Sequence, residues 1–312
     1  MPEDALDQFI NVLLAGEQPA ADPELAPLAQ IVARLRDLPD EGFQKRLKSD
    51  LQRRATMPAS TVTPVREGFH TITPFIAVPN APELIDFLKR TFDAQETSRH
   101  PHGEGFMASV KVDDTDLLIM GNPSLAGQQR IGAFHVYVPD CDATYNRALE
   151  AGATSLGAPS DHSYGERAGY VKDTAGNQWY IATHLGATPA LENLWNVSPF
   201  AHPSSVRKYI DFLTRVMGAK ELAVHEHGGK VMYAAAQIGD AVLEMGESPN
   251  PLPSGFYLFV EDCDAVYQRA LEAGATSLWP PADQQYGDRT AGLVDPFGYQ
   301  WIAATRIKGG AG

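Results

Sequence analysis

Two stretches decide how this chain is read. Phe134–Gly169 is FHVYVPDCDATYNRALEAGATSLGAPSDHSYGERAG, and Phe256–Ala291 is FYLFVEDCDAVYQRALEAGATSLWPPADQQYGDRTA. Roughly half of the aligned positions are identical, so the second stretch is a copy of the first. Each copy runs into a glycine turn and a Trp strand, DTAGNQWYIATH from Asp173 and DPFGYQWIAATR from Asp295. The upstream halves correspond as well: ITPFIAVPNAPELIDFLKRTFDAQE from Ile72 mirrors VSPFAHPSSVRKYIDFLTRVMGAKE from Val197. A repeat this long is a duplicated domain, because solenoid units run only about 20–50 residues.

Each repeat divides again into similar halves. The first half reads strand (71–78), helix (82–92), then strands near 94–99, 106–112 and 116–120. The second reads strand (133–138), helix (142–151), strand (154–156), a long loop, then strands near 170–172 and 178–183. The chain therefore carries four β-α-β-β-β units, an α+β plan. Residues 1–57 lie outside the repeats and read as helical. Asp22-Pro23-Glu24 is a capped helix start, and Leu25, Leu28, Ile31, Val32 and Leu35 follow at helical spacing. Residues 58–68 read as a linker, 69–186 as the first domain, 187–194 as a second linker and 195–307 as the second domain.

The bulk numbers narrow the function classes. The 312 residues carry a formal charge of −14, which disfavours nucleic acid and anionic membrane as partners. No apolar run reaches the length of a membrane span. The acidic opening MPEDALDQF lacks the basic region of a signal peptide, so a cytoplasmic location is expected. The two cysteines, Cys141 and Cys263, occupy equivalent repeat positions and read as small buried residues. A homodimer is allowed, with the N-terminal helices either mediating it or docking on the repeats.

Paired β-α-β-β-β units, Asp-Cys-Asp-Ala before a helix, Ala-Gly-Ala after it and Asp295-Pro-Phe-Gly-Tyr-Gln-Trp301 resemble the vicinal oxygen chelate superfamily. That group holds glyoxalases, bleomycin resistance proteins and extradiol dioxygenases. Tyr286-Gly-Asp-Arg289 is most similar to its demethylubiquinone-methyltransferase-like branch. The resemblance implies two tandem domains, each pairing its units into a cupped, mostly antiparallel sheet. It also implies a divalent metal held from four strand positions. In the first repeat those positions are occupied by Thr73, Ile119, Ala133 and Tyr180; in the second, by Ser198, Glu244, Gly255 and Ile302. Only Glu244 retains a ligand type, and His135 lies two residues past Ala133 on the same strand face. No cofactor is expected, since the ligand positions are mostly lost.

Strand alternation then gives the cup linings, on the assumption that each repeat closes on itself. The second cup is expected to hold Ser198, Phe200, His202, Val242, Glu244, Tyr257, Phe259, Gln300 and Ile302. The first is expected to hold Thr73, Phe75, Leu117, Ile119, His135, Tyr137, Gln178 and Tyr180. A carboxylate, an imidazole, a phenol and an amide among apolar walls make the second cup the expected small-molecule site. Glu244 and His202 are its candidate acid/base pair, and Arg289, in the loop after Tyr286, is a candidate ligand contact. Three functions stay open: metal-independent small-molecule binding, acid/base catalysis by Glu244 (isomerase, epimerase or lyase type), and metal-dependent glyoxalase- or dioxygenase-like chemistry with displaced ligands.

Overall fold

The computed structural model describes Val65, residues 68–186 and residues 194–307. The helices expected in 1–57, and most of both linkers, lie outside the described residues. The four units are β1 (Ile72–Val78), α1 (Ala81–Phe92), β2 (Gln95–His102), β3 (Gly105–Val112) and β4 (Thr115–Gly121); β5 (Ala133–Tyr137), α2 (Cys141–Glu150), β6 (Thr154–His162), β7 (Glu166–Lys172) and β8 (Gln178–His184); β9 (Val197–Ala201), α3 (Val206–Met217), β10 (Lys220–His227), β11 (Lys230–Ile238) and β12 (Ala241–Met245); and β13 (Gly255–Phe259), α4 (Cys263–Glu272), β14 (Thr276–Asp283), β15 (Asp288–Val294) and β16 (Gln300–Arg306). A short 3-10 turn spans Pro123–Leu125. No helix among the described residues is long and apolar enough to cross a membrane.

The segment expected as a long loop before Tyr170 is a β-hairpin: β6 reaches His162 and β7 starts at Glu166. Strand β6 is an edge strand with two register shifts, so it tolerates Pro159 without a lost ladder bond.

The repeated motifs are local structural devices. Asp140 and Asp262 cap α2 and α4 by accepting from the N–H groups of Ala143 and Ala265, both at 2.9 Å. In the glycine turn, Asp173 accepts from three successive backbone N–H groups and from the Trp179 indole at 2.9 Å. Asp295 receives Trp301 in the same way, at 2.9 Å. Both indoles are thereby locked into the cores beneath the helices, where Trp179 packs on Phe87, Phe92 and Phe134. Cys141 and Cys263 are buried and unlinked.

The repeats do not close on themselves. One eight-stranded sheet runs β14-β15-β16-β13-β1-β4-β3-β2, and the other β10-β11-β12-β9-β5-β8-β7-β6. The first unit thus joins the fourth through antiparallel β1–β13, and the second joins the third through β5–β9. Reciprocal clasps fix this exchange. Asp240, in the β11–β12 turn, accepts from Thr71 N at 2.8 Å just before β1, and Asp114, in the β3–β4 turn, accepts from Asn196 N at 2.9 Å just before β9. His70 reinforces the first clasp, 3.2 Å from Asp240 and stacked on Trp195 with ring centroids 3.7 Å apart. The Asp240 carboxyl, pushed up by burial but pulled down more by its hydrogen bonds to His70 and Thr71, ends near pKa 2.

Candidate functional site

Each sheet curls around a cup, and the exchange mixes the two expected linings. The outer cup, built by β1–β4 and β13–β16, collects Thr73, Phe75, Tyr257, Phe259, Gln300 and Ile302. It is filled with its own side chains. Phe75, Ala77, Tyr257, Phe259, Ile302 and Ala304 form a buried cluster, with Val65, Phe69, Leu118, Leu125 and Trp279 packed onto it. Leu117 and Ile119 turn the other way, into the core beneath the helices. The reason is register. Leu118 and Glu244 both lie three residues beyond the strand pair that closes their hairpins, Val112–Thr115 and Ile238–Ala241. Leu118, not Ile119, is therefore the structural counterpart of Glu244.

The inner cup, built by β5–β12, brings together Ser198, Phe200, His202, Glu244, His135 and Tyr180. Six of the expected site residues therefore share one cup, whereas Tyr257, Phe259, Gln300 and Ile302 belong to the other. Arg289 belongs to neither. It lies one residue from the cup-side positions of β15 and grips Asp264 at the start of α4 (2.6 and 2.9 Å) and Asp283 (2.7 Å). Arg167 does the same with Asp142 and Asp161. The Gly-acid-Arg motif is a strand-to-helix clamp, with every guanidinium nitrogen already donating to a carboxylate.

At the floor of the inner cup, His135 bridges the two repeats. Its Nδ1 lies 3.2 Å from Glu244 Oε2, and its Nε2 lies 3.6 Å from Glu166 Oε2. Strand register produces this meeting. His135 faces Ser198 across β5–β9, Phe200 faces Glu244 across β9–β12, and Glu166 pairs with His184 across β7–β8. Glu244 is fully buried. Its Oε1 also accepts from the Tyr233 hydroxyl at 2.8 Å, while the Tyr137 hydroxyl donates to Glu166 at 3.0 Å. The sequence reading missed Glu166, Tyr233 and His184. Alternation carried from Tyr180 across the β7–β8 hairpin would have placed Glu166 and His184 inside.

The electrostatics follow from these contacts. Burial alone would drive protons off His135, but the charges and hydrogen bonds of Glu244 and Glu166 outweigh it and lift its pKa to about 10. Burial raises Glu166, yet His135, Tyr137 and His184 together hold it below the usual carboxylate value. Burial and the neighbouring carboxylates push the Tyr137 and Tyr233 phenols far up, so both remain protonated donors.

Above the floor the wall is aromatic. Tyr170, Tyr180, Phe200 and His202 follow one another with centroids 5.4, 5.2 and 4.9 Å apart. His202 Nε2 lies 2.8 Å from the Tyr180 hydroxyl, and burial lowers the His202 pKa to about 4, so this imidazole is neutral. A separate recess of about 500 Å3, between the end of α1, β5 and α2, holds Arg147, whose guanidinium is engaged by Asp93 at 2.7 Å. Its lining also includes Gln95, Lys111, Asp113 and Asn196.

The donors of the inner cup do not fit a divalent ion. Each His135 nitrogen meets a different carboxylate, so no single point is shared by both acids and the ring. Tyr137 stands between His135 and His184, with centroids 4.4 and 4.5 Å away, and keeps the two imidazoles apart. No group of three His, Cys, Asp or Glu among the described residues converges on a metal position.

Comparison with known proteins agrees with this architecture. A model of the glyoxalase/bleomycin resistance protein/dioxygenase superfamily matches residues 68–181 and 203–302, more than half of the chain. An uncharacterised protein of Mycobacterium bovis is 36% identical over 132 residues, covering 36% of this chain and 87% of its own length. CFP32 of Mycobacterium tuberculosis, provisionally named a glyoxylase, is 27% identical over 184 residues, covering 55% of this chain and 68% of its own. Glyoxalase I from Zea mays superposes with a TM-score of 0.58 at 15% identity, covering 75% of this chain and 92% of that one, a likeness of fold. With its four β-α-β-β-β units and two cups, this chain belongs to the glyoxalase/bleomycin resistance protein/dioxygenase superfamily.

Proposed function

We propose that the chain binds a small molecule in the inner cup, against the aromatic wall of Tyr170, Tyr180, Phe200 and His202, without a metal ion. The observation that carries this reading is the contrast between the cups. The outer one is packed by its own apolar side chains, whereas the inner one leaves its polar and aromatic groups partly open over a charged floor. Binding is favoured over proton abstraction by Glu244, because that carboxylate is fully buried and both its oxygens are engaged by His135 and Tyr233. Glu244 acts here as a positioning residue for His135. Isotope-labelled protein screened by NMR against small aromatic compounds tests the reading. Binders should shift signals of Phe200, Tyr180 and His202, and Tyr180→Ala should weaken them. Binding that leaves these signals unmoved would overturn it.

A further inference from the structure

We infer that the resident cation of the inner cup is the His135 imidazolium, held between the carboxylates of Glu244 and Glu166 in place of a divalent metal ion. The inference deepens the proposed metal-free binding site but is readable without any ligand.

Charge balance is the physical argument. Two carboxylates, one wholly buried and the other nearly so, converge from different repeats on the floor of one cup. Removing two like charges from water is expensive unless a cation and hydrogen bonds compensate them. The structure supplies one cationic group with a donor at each end. Nδ1 reaches Glu244 at 3.2 Å and Nε2 reaches Glu166 at 3.6 Å. A neutral imidazole has only one N–H, so it would leave one carboxylate facing a bare ring nitrogen, lone pair against lone pair. The remaining oxygens are served by phenols, Tyr233 on Glu244 and Tyr137 on Glu166, and His184 Nδ1 stands 3.7 Å from Glu166. The groups facing the imidazole are thus Glu244 from β12 and Glu166 from β7, backed by Tyr137 from β5, Tyr233 from β11 and His184 from β8.

The same arrangement shuts a metal out. An ion on Nδ1 would displace the proton that binds Glu244 and would still have only one carboxylate in reach. An ion on Nε2 would have Glu166, but Tyr137 blocks convergence with His184. In the outer cup, Leu118 occupies the position of Glu244.

The test is histidine side-chain NMR on the full-length chain with 15N-labelled histidine, at pH 7.5, before and after addition of excess Zn(II). Assignment of the His135 signals comes from their loss in His135→Gln. Should that variant not fold, contacts to the Tyr137 ring, 4.4 Å away, identify them. The expected result is a proton on both His135 nitrogens at a pH where an ordinary histidine is mostly neutral, unchanged by zinc. Zinc at the exposed His100, His102, His225 or His227 leaves these signals in place and supports the inference equally. A single proton on His135, or its displacement by zinc retained at one ion per chain, would overturn it. Neither result depends on a ligand entering the cup, so failure here is distinct from failure of the binding reading.

Discussion

His135 Nδ1, from the first repeat, lies 3.2 Å from Glu244 Oε2, from the second. The contact exists only because the second unit pairs with the third, so the candidate site is a product of the exchange between repeats. Glu244→Gln keeps the shape but removes the charge, leaving the imidazolium with Glu166 alone. Breaking a buried ion pair from one side costs about 3–5 kcal/mol. Urea unfolding at neutral pH should show a loss of that order. A loss under about 1 kcal/mol, typical of exposed pairs, would mean that the pair carries no weight.

The pH dependence has a definite sign. His135 binds its proton more tightly folded, near pKa 10, than unfolded, near 6.5. Its contribution is therefore full below pH 6.5 and is lost as pH rises toward 10. The stability difference between the native chain and His135→Gln should shrink steadily as pH rises above 6.5. His202 runs the other way: its depressed value, near 4, makes the folded state lose stability as pH falls from 6.5 toward 4. His202→Gln should soften that acid limb in a pH series of thermal melts.

The filling of the outer cup can be tested at one methyl group. Trp279 lies across Gly292, where an added Cβ would sit 2.5 Å from three ring atoms. Overpacking of this kind costs about 1–3 kcal/mol. Gly292→Ala should destabilise by about that amount, and a Trp279→Ala background should remove most of the penalty. A double-mutant cycle reads the coupling; additive effects would contradict the packing.

The glycine turn predicts a large effect from a small change. Asp173 accepts from Ala175, Gly176 and Asn177 backbone N–H groups, the Asn177 side chain and the Trp179 indole. Asp173→Asn turns one acceptor into a donor and leaves buried N–H groups unmet, at about 1–3 kcal/mol each. Thermal unfolding should show this, with Trp179 fluorescence changing in the folded state.

Much of this was legible in the sequence because it rests on short-range rules. Two-residue alternation put His135, Tyr180, Phe200 and Glu244 on inward faces, and Asp140 and Asp262 announced their helices. Sheet pairing was not legible. The first strands of all four units, at Ile72, Ala133, Val197 and Gly255, are similar enough that either closure buries the same kinds of face. The choice is fixed by tertiary polar contacts such as Asp240 with Thr71 and Asp114 with Asn196, which lie far apart in sequence. Counting from the hairpin ends gives Leu118, not Ile119, as the counterpart of Glu244, because the two strands leave their turns in the same register.

The most direct measurement of the central claim is the location of bound small molecules by NMR in the full-length chain, comparing Tyr180→Ala with Tyr257→Ala. The account predicts that binders perturb Phe200, Tyr180 and His202, that Tyr180→Ala weakens them several-fold and that Tyr257→Ala leaves their affinity unchanged. Binders that perturb Tyr257, Phe259 and Ile302 instead, and lose affinity in Tyr257→Ala, would contradict it.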